Sequence, residues 1–223
     1  FDSDALGDTS TVGTYGVALN LLANQDDYQF NIITVPGLIK GNANASGEIT
    51  TMVNNAQTRG DNIAVVDLVN WDANISTVTA GAAGIDSSYA ATYWPWLQTI
   101  DPDTSKTVWV PASTLIPGVY AFNDRAGEPW FAPAGLNRGG LSTVLRAERK
   151  LTNGNRNTLY TANVNPIATF PNTGVVVFGQ KTLQKAASAL DRVNVRRLLI
   201  ELKSYISQVA DNLVFEQNTI ATR

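Results

Sequence analysis

Two acidic residues lie close together where the sequence predicts the end of a buried strand. Asp67 falls within the nearly continuous apolar run from Ile63 to Val69, and Asp72 follows shortly after it. Open α/β sheets bind ligands at the carboxyl ends of their parallel strands, so a cation or phosphate site at these two acids is one interpretation. No second carboxylate cluster with ligand spacing accompanies them. We therefore favour ordinary strand-end and turn acids over a metal site.

The composition removes most of the usual catalytic groups. The chain has no His and no Cys, which excludes thiolate nucleophiles, histidine general bases and zinc sites built on those ligands. The sequence has no Gly-rich phosphate loop of the P-loop kind and no G-x-S-x-G elbow. Since no residue set combines a nucleophile, a base and an orienting partner, we predict a protein that is not an enzyme and that uses no cofactor or metal.

Charge is divided unevenly along the chain. Residues 1–135 carry four Lys and Arg against fourteen Asp and Glu, a net charge of −10, whereas residues 136–223 carry twelve against five, a net charge of +7. The basic part can face nucleic acid or another acidic surface, one end of the molecule can fit the opposite end of a second copy, or the two parts can neutralise each other within one monomer. Aromatic residues do not alternate with the basic residues around Arg196 as they do in single-strand binders, so we expect no nucleic acid partner.

The elements before residue 110 indicate a sheet with a βαβ core. A strand that ends at a Pro-Gly pair, a helix that ends at Gly60 and a second, fully apolar strand form a parallel pair with a right-handed crossover. Two more strands follow, rich in Tyr and Trp, and we expect them to join the same sheet. The predicted helices are Tyr15–Ala23, Glu48–Arg59 and Asn74–Gly84, and the predicted strands are Phe30–Val35, Ile63–Val69, Ser88–Leu97 and Thr107–Val110.

The segment after Pro111 predicts a helix with one apolar face. Leu115, Ile116, Val119 and Tyr120 recur at three- and four-residue spacing. Pro117 inside this pattern conflicts with a regular helix, so we expect the helix to be kinked or to start late. The Trp130-Phe131 pair lies between residues that break helices, and we expect both rings to fill a gap in the core.

The last part of the chain predicts a hairpin and a long helix. Strands over Pro166–Phe170 and Gly174–Phe178 are separated by a hairpin-length turn, after a short helix capped by Thr152. From Asp191 onwards apolar residues follow helical spacing over about 30 Å, while Arg196, Arg197 and Lys203 fall outside the apolar face. The predicted fold class is therefore α/β (α+β), a mixed sheet with a βαβ core flanked by helices and a smaller antiparallel C-terminal lobe with a long amphipathic helix. We expect an acidic α/β lobe at 1–135 and a basic lobe at 136–223.

Several ordered motifs resemble the tail sheath proteins of contractile-tailed bacteriophages. The resemblance is dense over residues 110–223 and thin before them, where only residues 31–37 look familiar. The motifs are Pro111-x-Ser113, Gly118 to Ala121, Asn123 to Arg125, Trp130 to Gly135, Asn165 to Ile167, Val177 to Leu183 and Asp191 to Leu198.

The resemblance implies a structural subunit that works without catalysis. Subunits of this family form six-fold rings that stack into a helical sheath around a tail tube, bound by a baseplate and a tail terminator, and the sheath contracts to drive the tube through the host envelope. The implied location is the virion, after assembly in the host cytoplasm. Apolar runs are too short for a membrane span, so we expect no membrane partner. Seven basic residues are predicted to include those that face neighbouring subunits or the tube, the alternative being solvated surface: Arg138, Arg146, Arg149, Lys150, Arg196, Arg197 and Lys203.

Two other functions stay open at this point. One is a metal- or nucleotide-binding α/β enzyme domain that uses Asp67 or Asp72. The other is the sheath of a type VI secretion system or a phage-tail-like bacteriocin, which shares the mechanics of the phage sheath. The family also carries terminal arms that add strands to neighbouring subunits, so we expect this chain to be a protease-resistant core that is largely monomeric by itself.

Overall fold

A computed structural model of the chain describes residues 14–217. Its centre is a mixed sheet of five strands in the order β1-β2-β3-β7-β8, in which β1, β2, β3 and β7 are parallel and β8 runs antiparallel to β7. A second, antiparallel sheet has three strands in the order β5-β4-β6. The strands are β1 (Ile32–Ile39), β2 (Ile63–Asp67), β3 (Ala90–Trp94), β4 (Leu97–Ile100), β5 (Thr107–Val110), β6 (Val144–Ala147), β7 (Asn165–Phe170) and β8 (Gly174–Val177).

Helices cover both faces of the central sheet. They are α1 (Thr14–Leu21), α2 (Ala43–Arg59), α3 (Ile75–Ala83), α4 (Ile116–Ala126), α5 (Asn153–Thr161) and α6 (Val193–Asp211), with single 3-10 turns at Ala112–Thr114 and Ala189–Asp191. This arrangement confirms the predicted α/β fold class. Within residues 14–217, no helix is both long and apolar enough to cross a membrane.

Alternate residues of β2 build the two halves of the core. Ala64 and Val66 point to the cluster beneath α2, whereas Ile63 and Val65 point to the cluster beneath α4 and α6. All four are at most 1% exposed, as expected for a strand covered on both faces. The predicted βαβ unit is confirmed, since β1 and β2 are parallel and α2 connects them. The predicted end of α2 is also confirmed, because Gly60 adopts a left-handed conformation with φ of 70°.

The first strand is longer than predicted. We expected Pro36-Gly37 to end it, but β1 continues to Ile39 after a change of register between Thr34 and Ile39. Gly37 has φ of 88°, a conformation that residues with a side chain rarely adopt. The strand tolerates Pro36 because β1 is the outermost strand of its sheet, where a missing backbone N–H breaks no ladder bond.

The strands around residue 95 are divided between two sheets, which contradicts the expected single sheet. β2 and β7 occupy both sides of β3, so no edge of β3 is left for β4 or β5. Instead, β4 pairs with β5 on one side and with β6 on the other, in the antiparallel sheet. The hairpin predicted from Pro166–Phe170 and Gly174–Phe178 is present as β7 and β8, and it extends the central sheet. Strand β3, before the boundary predicted at residue 135, therefore pairs with β7, after it. The division of the chain into an acidic lobe and a basic lobe stays a prediction.

The segment after Pro111 behaves as its sequence predicts. One 3-10 turn comes first, α4 begins at Ile116, and Pro117 lies in its first turn, where no N–H is needed. Ile116, Val119 and Tyr120 are buried. The expected core position of Trp130 and Phe131 is wrong, because each is 41% exposed.

Candidate functional site

Asp67 ends β2 inside the protein. Its carboxylate accepts hydrogen bonds from the Ser113 hydroxyl at 2.5 Å and the Ser113 N–H at 3.3 Å, and from the N–H of Gly37. Burial raises the pKa of Asp67 to about 6, against the lowering effect of these bonds. Among residues 14–217, no Lys or Arg forms an ion pair with this carboxylate. Asp67 thus joins β2 to β1 and to the turn before α4.

Asp72 takes part in a separate set of contacts at the surface. Its carboxylate pairs with Arg149 at 2.7 Å, and its backbone N–H donates to the Glu148 carboxylate at 2.9 Å. Glu148 also accepts from the N–H of Trp96, and burial raises the pKa of Glu148. These bonds attach the loop after β2 to the end of β6. No group of three or more acidic residues within the described part of the chain could hold a metal ion.

Three tryptophans and one of the predicted basic residues form a surface cluster next to this loop. The Trp71 ring lies 4.3 Å from the Trp109 ring and meets the Trp96 ring edge-on at 6.2 Å, measured between centroids. The Arg146 guanidinium lies 5.2 Å from the centre of the Trp109 ring, and its Nε donates to Gln98 at 2.8 Å. The aromatic residues therefore pack mainly against one another, and Arg146 stays exposed on top of them.

Arg196 and Arg197 lie inside the molecule, with 7% and 5% of their surface exposed. Arg197 donates two hydrogen bonds to the Asp124 carboxylate and covers the Tyr120 ring at 4.8 Å. The Tyr120 hydroxyl in turn bonds that of Tyr93 at 2.6 Å, and burial raises the pKa of Tyr120 to about 12. This chain of contacts connects α6, α4 and β3. Arg196 stacks on the Tyr89 ring at 4.0 Å, so both arginines fix α6 to its own core.

The remaining predicted basic residues differ in how firmly the chain holds them. The Lys203 ammonium donates to the carbonyl of Arg59 at 3.3 Å, where the negative end of the α2 dipole lies. Arg138 donates to the carbonyl of Ala132 and covers the Phe131 ring at 5.0 Å. Lys150 is exposed. The seven residues do not form one patch: some face solvent and others are tied to helices of the same chain.

The sequence as a whole matches one known family. Residues 14–183 match the sequence profile of the phage tail sheath protein central domain. The chain belongs to the phage tail sheath protein family. The matched residues contain every strand of the central sheet and of the second sheet.

The chain is similar in sequence to curated tail sheath proteins. It is 36% identical over 165 residues to the tail sheath protein of Vibrio phage KVP40, and 34% identical over 160 residues to that of Enterobacteria phage T4. Each alignment covers 72% of this chain and 24% of the relative. The sheath chain described here thus corresponds to about a quarter of the length of these relatives.

Solved structures of contractile injection systems share its fold. The likeness to a chain of the anti-feeding prophage baseplate has a TM-score of 0.72 at 24% identity, and covers 95% of this chain and 54% of that one. The likeness to the anti-feeding prophage helical sheath in its contracted state has a TM-score of 0.68 at 25% identity, and covers 96% and 56%. The sheath tail protein of Desulfitobacterium hafniense gives a TM-score of 0.60 at 14% identity, with 97% and 47% covered.

One densely hydrogen-bonded side chain within residues 14–217, that of Arg59, was missed by sequence reasoning. Arg59 donates to the carbonyls of Leu22, Asn24 and Tyr28 and forms a two-bond ion pair with Asp61. It also covers the Phe30 ring at 4.3 Å. One signal was available: Arg59 is the last residue of a predicted helix, where its charge suits the helix dipole. The loop contacts depend on the tertiary fold.

Proposed function

We propose that this chain is the central domain of a structural subunit of a contractile phage tail sheath. Such a subunit polymerises helically around a tail tube and contracts to drive the tube through the host envelope. The family match over residues 14–183 carries the proposal. The identities of 36% and 34% to phage tail sheath proteins support the phage setting.

The proposed mechanism is mechanical and has no catalytic step. The relatives are named as tail sheath proteins, and the acids considered as ligands make other contacts, since Asp67 bonds to Ser113 and Asp72 pairs with Arg149. We propose that contraction is the relaxation of a strained lattice, with the folded domain moving as a rigid unit. The connected contacts of Arg197, Tyr120 and Tyr93 support this rigidity because they tie α6 and α4 to the sheet.

The proposed partners are other copies of the subunit and the parts of the tail that the sheath touches. We propose six-fold rings stacked around the tube, with a baseplate at one end and a tail terminator at the other, in a virion whose tail assembles in the host cytoplasm. One related structure was solved in a helical sheath and another in a baseplate with six-fold symmetry, which supports this arrangement. By itself the chain is proposed to be largely monomeric, and stable rings or tubes in sedimentation would contradict that.

We propose that the exposed members of the basic set are the interface residues. Arg146 and Lys150 point into solvent, and Arg138 and Arg149 are half-buried. We propose that these four contact neighbouring subunits or the tube, and that Lys203 does so from the exposed side of α6. Arg196 and Arg197 are proposed to act indirectly, by holding α6 in place.

Electron microscopy of a polypeptide that carries this chain at the length of its curated relatives tests the function. Striated tubes are the expected result. Replacing Arg146 and Lys150 by Glu is expected to reduce tube formation with only a small change in the unfolding midpoint, because both side chains are exposed and Arg146 contacts only Gln98 and Trp109 at the surface. Lys106→Glu reverses an exposed charge outside the predicted set and is the matched control. A protein that forms no tubes under any condition would contradict the sheath function, and normal tubes from the double variant would contradict the interface.

A sheath of another contractile injection system is the second candidate. The structural likeness to the anti-feeding prophage helical sheath favours it. Copurification distinguishes the two settings, because a phage sheath is expected on particles that contain DNA. Sheaths recovered only on DNA-free particles would favour the second candidate.

A further inference from the structure

A cleft lined by hydrogen-bond donors lies beside helix α5. It has a volume of about 360 Å³, which is within the range of small-molecule sites. Residues that share one face of the helix form its α5 side: Asn153, Arg156, Asn157 and Tyr160. The opposite side is formed by residues 134–135, Pro166 and residues 178–180. We call this feature the α5 cleft. Among the described residues that line it, none is Asp or Glu.

The guanidinium of Arg156 is held in place without a counter-ion. Its Nη1 donates to the carbonyl of Leu151 at 3.0 Å, and its Nη2 makes a long bond of 3.4 Å to the Asn153 side chain. Its central carbon lies 5.4 Å and 5.8 Å from the centres of the Phe170 and Phe178 rings. Within residues 14–217, Arg156 forms no ion pair with a carboxylate. The cation is therefore positioned by its own chain, and it keeps N–H donors available for a ligand.

Two more cations contact Tyr160, which lies one helical turn after Arg156. Arg192 donates to the Tyr160 hydroxyl, and the Lys181 ammonium lies 4.6 Å from the centre of the Tyr160 ring. Lys181 and Arg192 pair across an antiparallel bridge, so two like charges lie side by side. Burial and the charge of Arg192 lower the pKa of Lys181, against the opposing effect of Asp191. Since Asp191 forms its ion pair with Arg192 at 3.1 Å, these residues leave the surroundings of Tyr160 positively charged.

The Tyr160 hydroxyl needs an acceptor. Because a guanidinium can only donate, the bond from Arg192 uses a lone pair of the hydroxyl oxygen and leaves the hydroxyl hydrogen free. Among residues 14–217, this hydrogen has no acceptor. The side-chain amide of Asn157, exposed on the same face of α5, adds further N–H donors. A ligand that satisfies these groups has to offer acceptor oxygens and a negative charge.

We propose that the α5 cleft binds a small oxyanion, with phosphate as its ligand. Arg156 supplies charge-assisted hydrogen bonds, which are stronger than those between neutral groups, and Tyr160 and Asn157 supply neutral ones. A tetrahedral phosphate accepts bonds from several directions, which suits donors that come from successive turns of one helix. A planar carboxylate offers two oxygens in one plane. The site belongs to the folded domain itself, so the proposal does not depend on the sheath function.

Titration with inorganic phosphate, followed by the NMR signals of the domain, tests the site. Sodium chloride is exchanged for phosphate at constant ionic strength and pH 7, so that general screening stays the same. For wild type we expect saturable binding with a Kd on the order of 1–10 mM. Arg156→Gln should raise the Kd about tenfold, because it removes the charge and the charge-assisted bonds. Arg125→Gln makes the same change at an exposed position on α4, outside the cleft, and should leave the Kd within about twofold.

A second variant keeps the test valid if Arg156→Gln disturbs the fold. Asn157→Ala changes an exposed side chain of α5 and should raise the Kd about threefold, since one neutral hydrogen bond is lost. Equal phosphate affinity in wild type, Arg156→Gln and Asn157→Ala would overturn the proposal. Equal losses in Arg156→Gln and Arg125→Gln would also overturn it, because they would show a general attraction of anions to a basic surface.

Acetate distinguishes the two chemical sources of an oxyanion. It presents the carboxylate of an acidic side chain without the rest of a protein, and it is titrated in the same way as phosphate. Weaker binding of acetate than of phosphate would support the phosphate site. Acetate that binds as tightly as phosphate, with the same loss in Arg156→Gln, would show a site for acidic side chains and would overturn the assignment of phosphate.

Discussion

Replacing Asp67 by Asn is expected to make the domain less sensitive to pH. The Asp67 carboxyl is enclosed by Ser113 and Gly37, without an ion pair to a Lys or Arg in the described residues. Burial disfavours its charged form and raises its pKa from 3.8 to about 6. Asparagine has nearly the same shape, accepts a hydrogen bond from Ser113 and carries no charge. The variant therefore removes the cost of a buried negative charge.

The size of the effect follows from proton linkage. A group whose pKa is higher in the folded state binds more protons there, so its contribution to stability is greatest below the unfolded pKa and is lost as pH rises through the folded pKa. The difference between 3.8 and about 6 corresponds to about 3 kcal/mol. For wild type, this contribution to the free energy of unfolding is expected to fall between about pH 4 and pH 6 to 7. The stability of Asp67→Asn relative to wild type should rise by the same amount.

Urea denaturation followed by tryptophan fluorescence measures this difference, since the chain contains five Trp residues. The free energy of unfolding is determined for both proteins at several pH values from 4 to 7. Asp103→Asn is the control, because it makes the same change of side chain at an exposed position in a turn. If the profiles of wild type and Asp67→Asn were parallel, the assignment of a raised pKa to buried Asp67 would be wrong.

Three further substitutions test contacts that hold the helices in place, each measured by chemical denaturation. Arg197→Met should lower the free energy of unfolding by about 2–3 kcal/mol, because it leaves Asp124 unpaired; a much smaller loss when Asp124 is already Asn would confirm the coupling. Arg59→Lys should cost about 2–3 kcal/mol, since one ammonium cannot replace the guanidinium's bonds to three carbonyls and Asp61. An unchanged midpoint would refute that role. Gly60→Ala should cost about 1–2 kcal/mol because of its positive φ, whereas Gly47→Ala, inside α2 and with open space around its Cβ, should be neutral or stabilising.

The parts of the fold that depend on local sequence could be predicted, and the parts that depend on strand partners could not. The late start of α4 follows from the fixed geometry of Pro117, and the end of α2 follows from the freedom of Gly60. The separation of β4 and β5 from the central sheet could not be predicted from their local sequence. It depends on β7, more than 60 residues later in the chain, which occupies the edge of β3 that β4 would need.

In the candidate site, the sequence could not show which face of helix α6 is buried. The helical periodicity of the sequence correctly separated Arg196 and Arg197 from the row of apolar residues along α6. We had inferred that the two arginines point outwards because we assumed that the row of apolar residues faces the core. In the structure the helix is buried through the arginine face, because Asp124 and the rings of Tyr120 and Tyr89 provide partners for both guanidinium groups. A sequence pattern gives the angle between two faces and does not tell which one is covered.

Pro36 has a consequence for how readily the domain aggregates. It lies within β1, the outermost strand of the central sheet, and a row of free N–H groups on such a strand invites unwanted pairing and aggregation. The proline removes one N–H donor from that row, and the nearby change of register makes the row irregular. The outer strand is therefore a poor template for pairing with a strand of another chain.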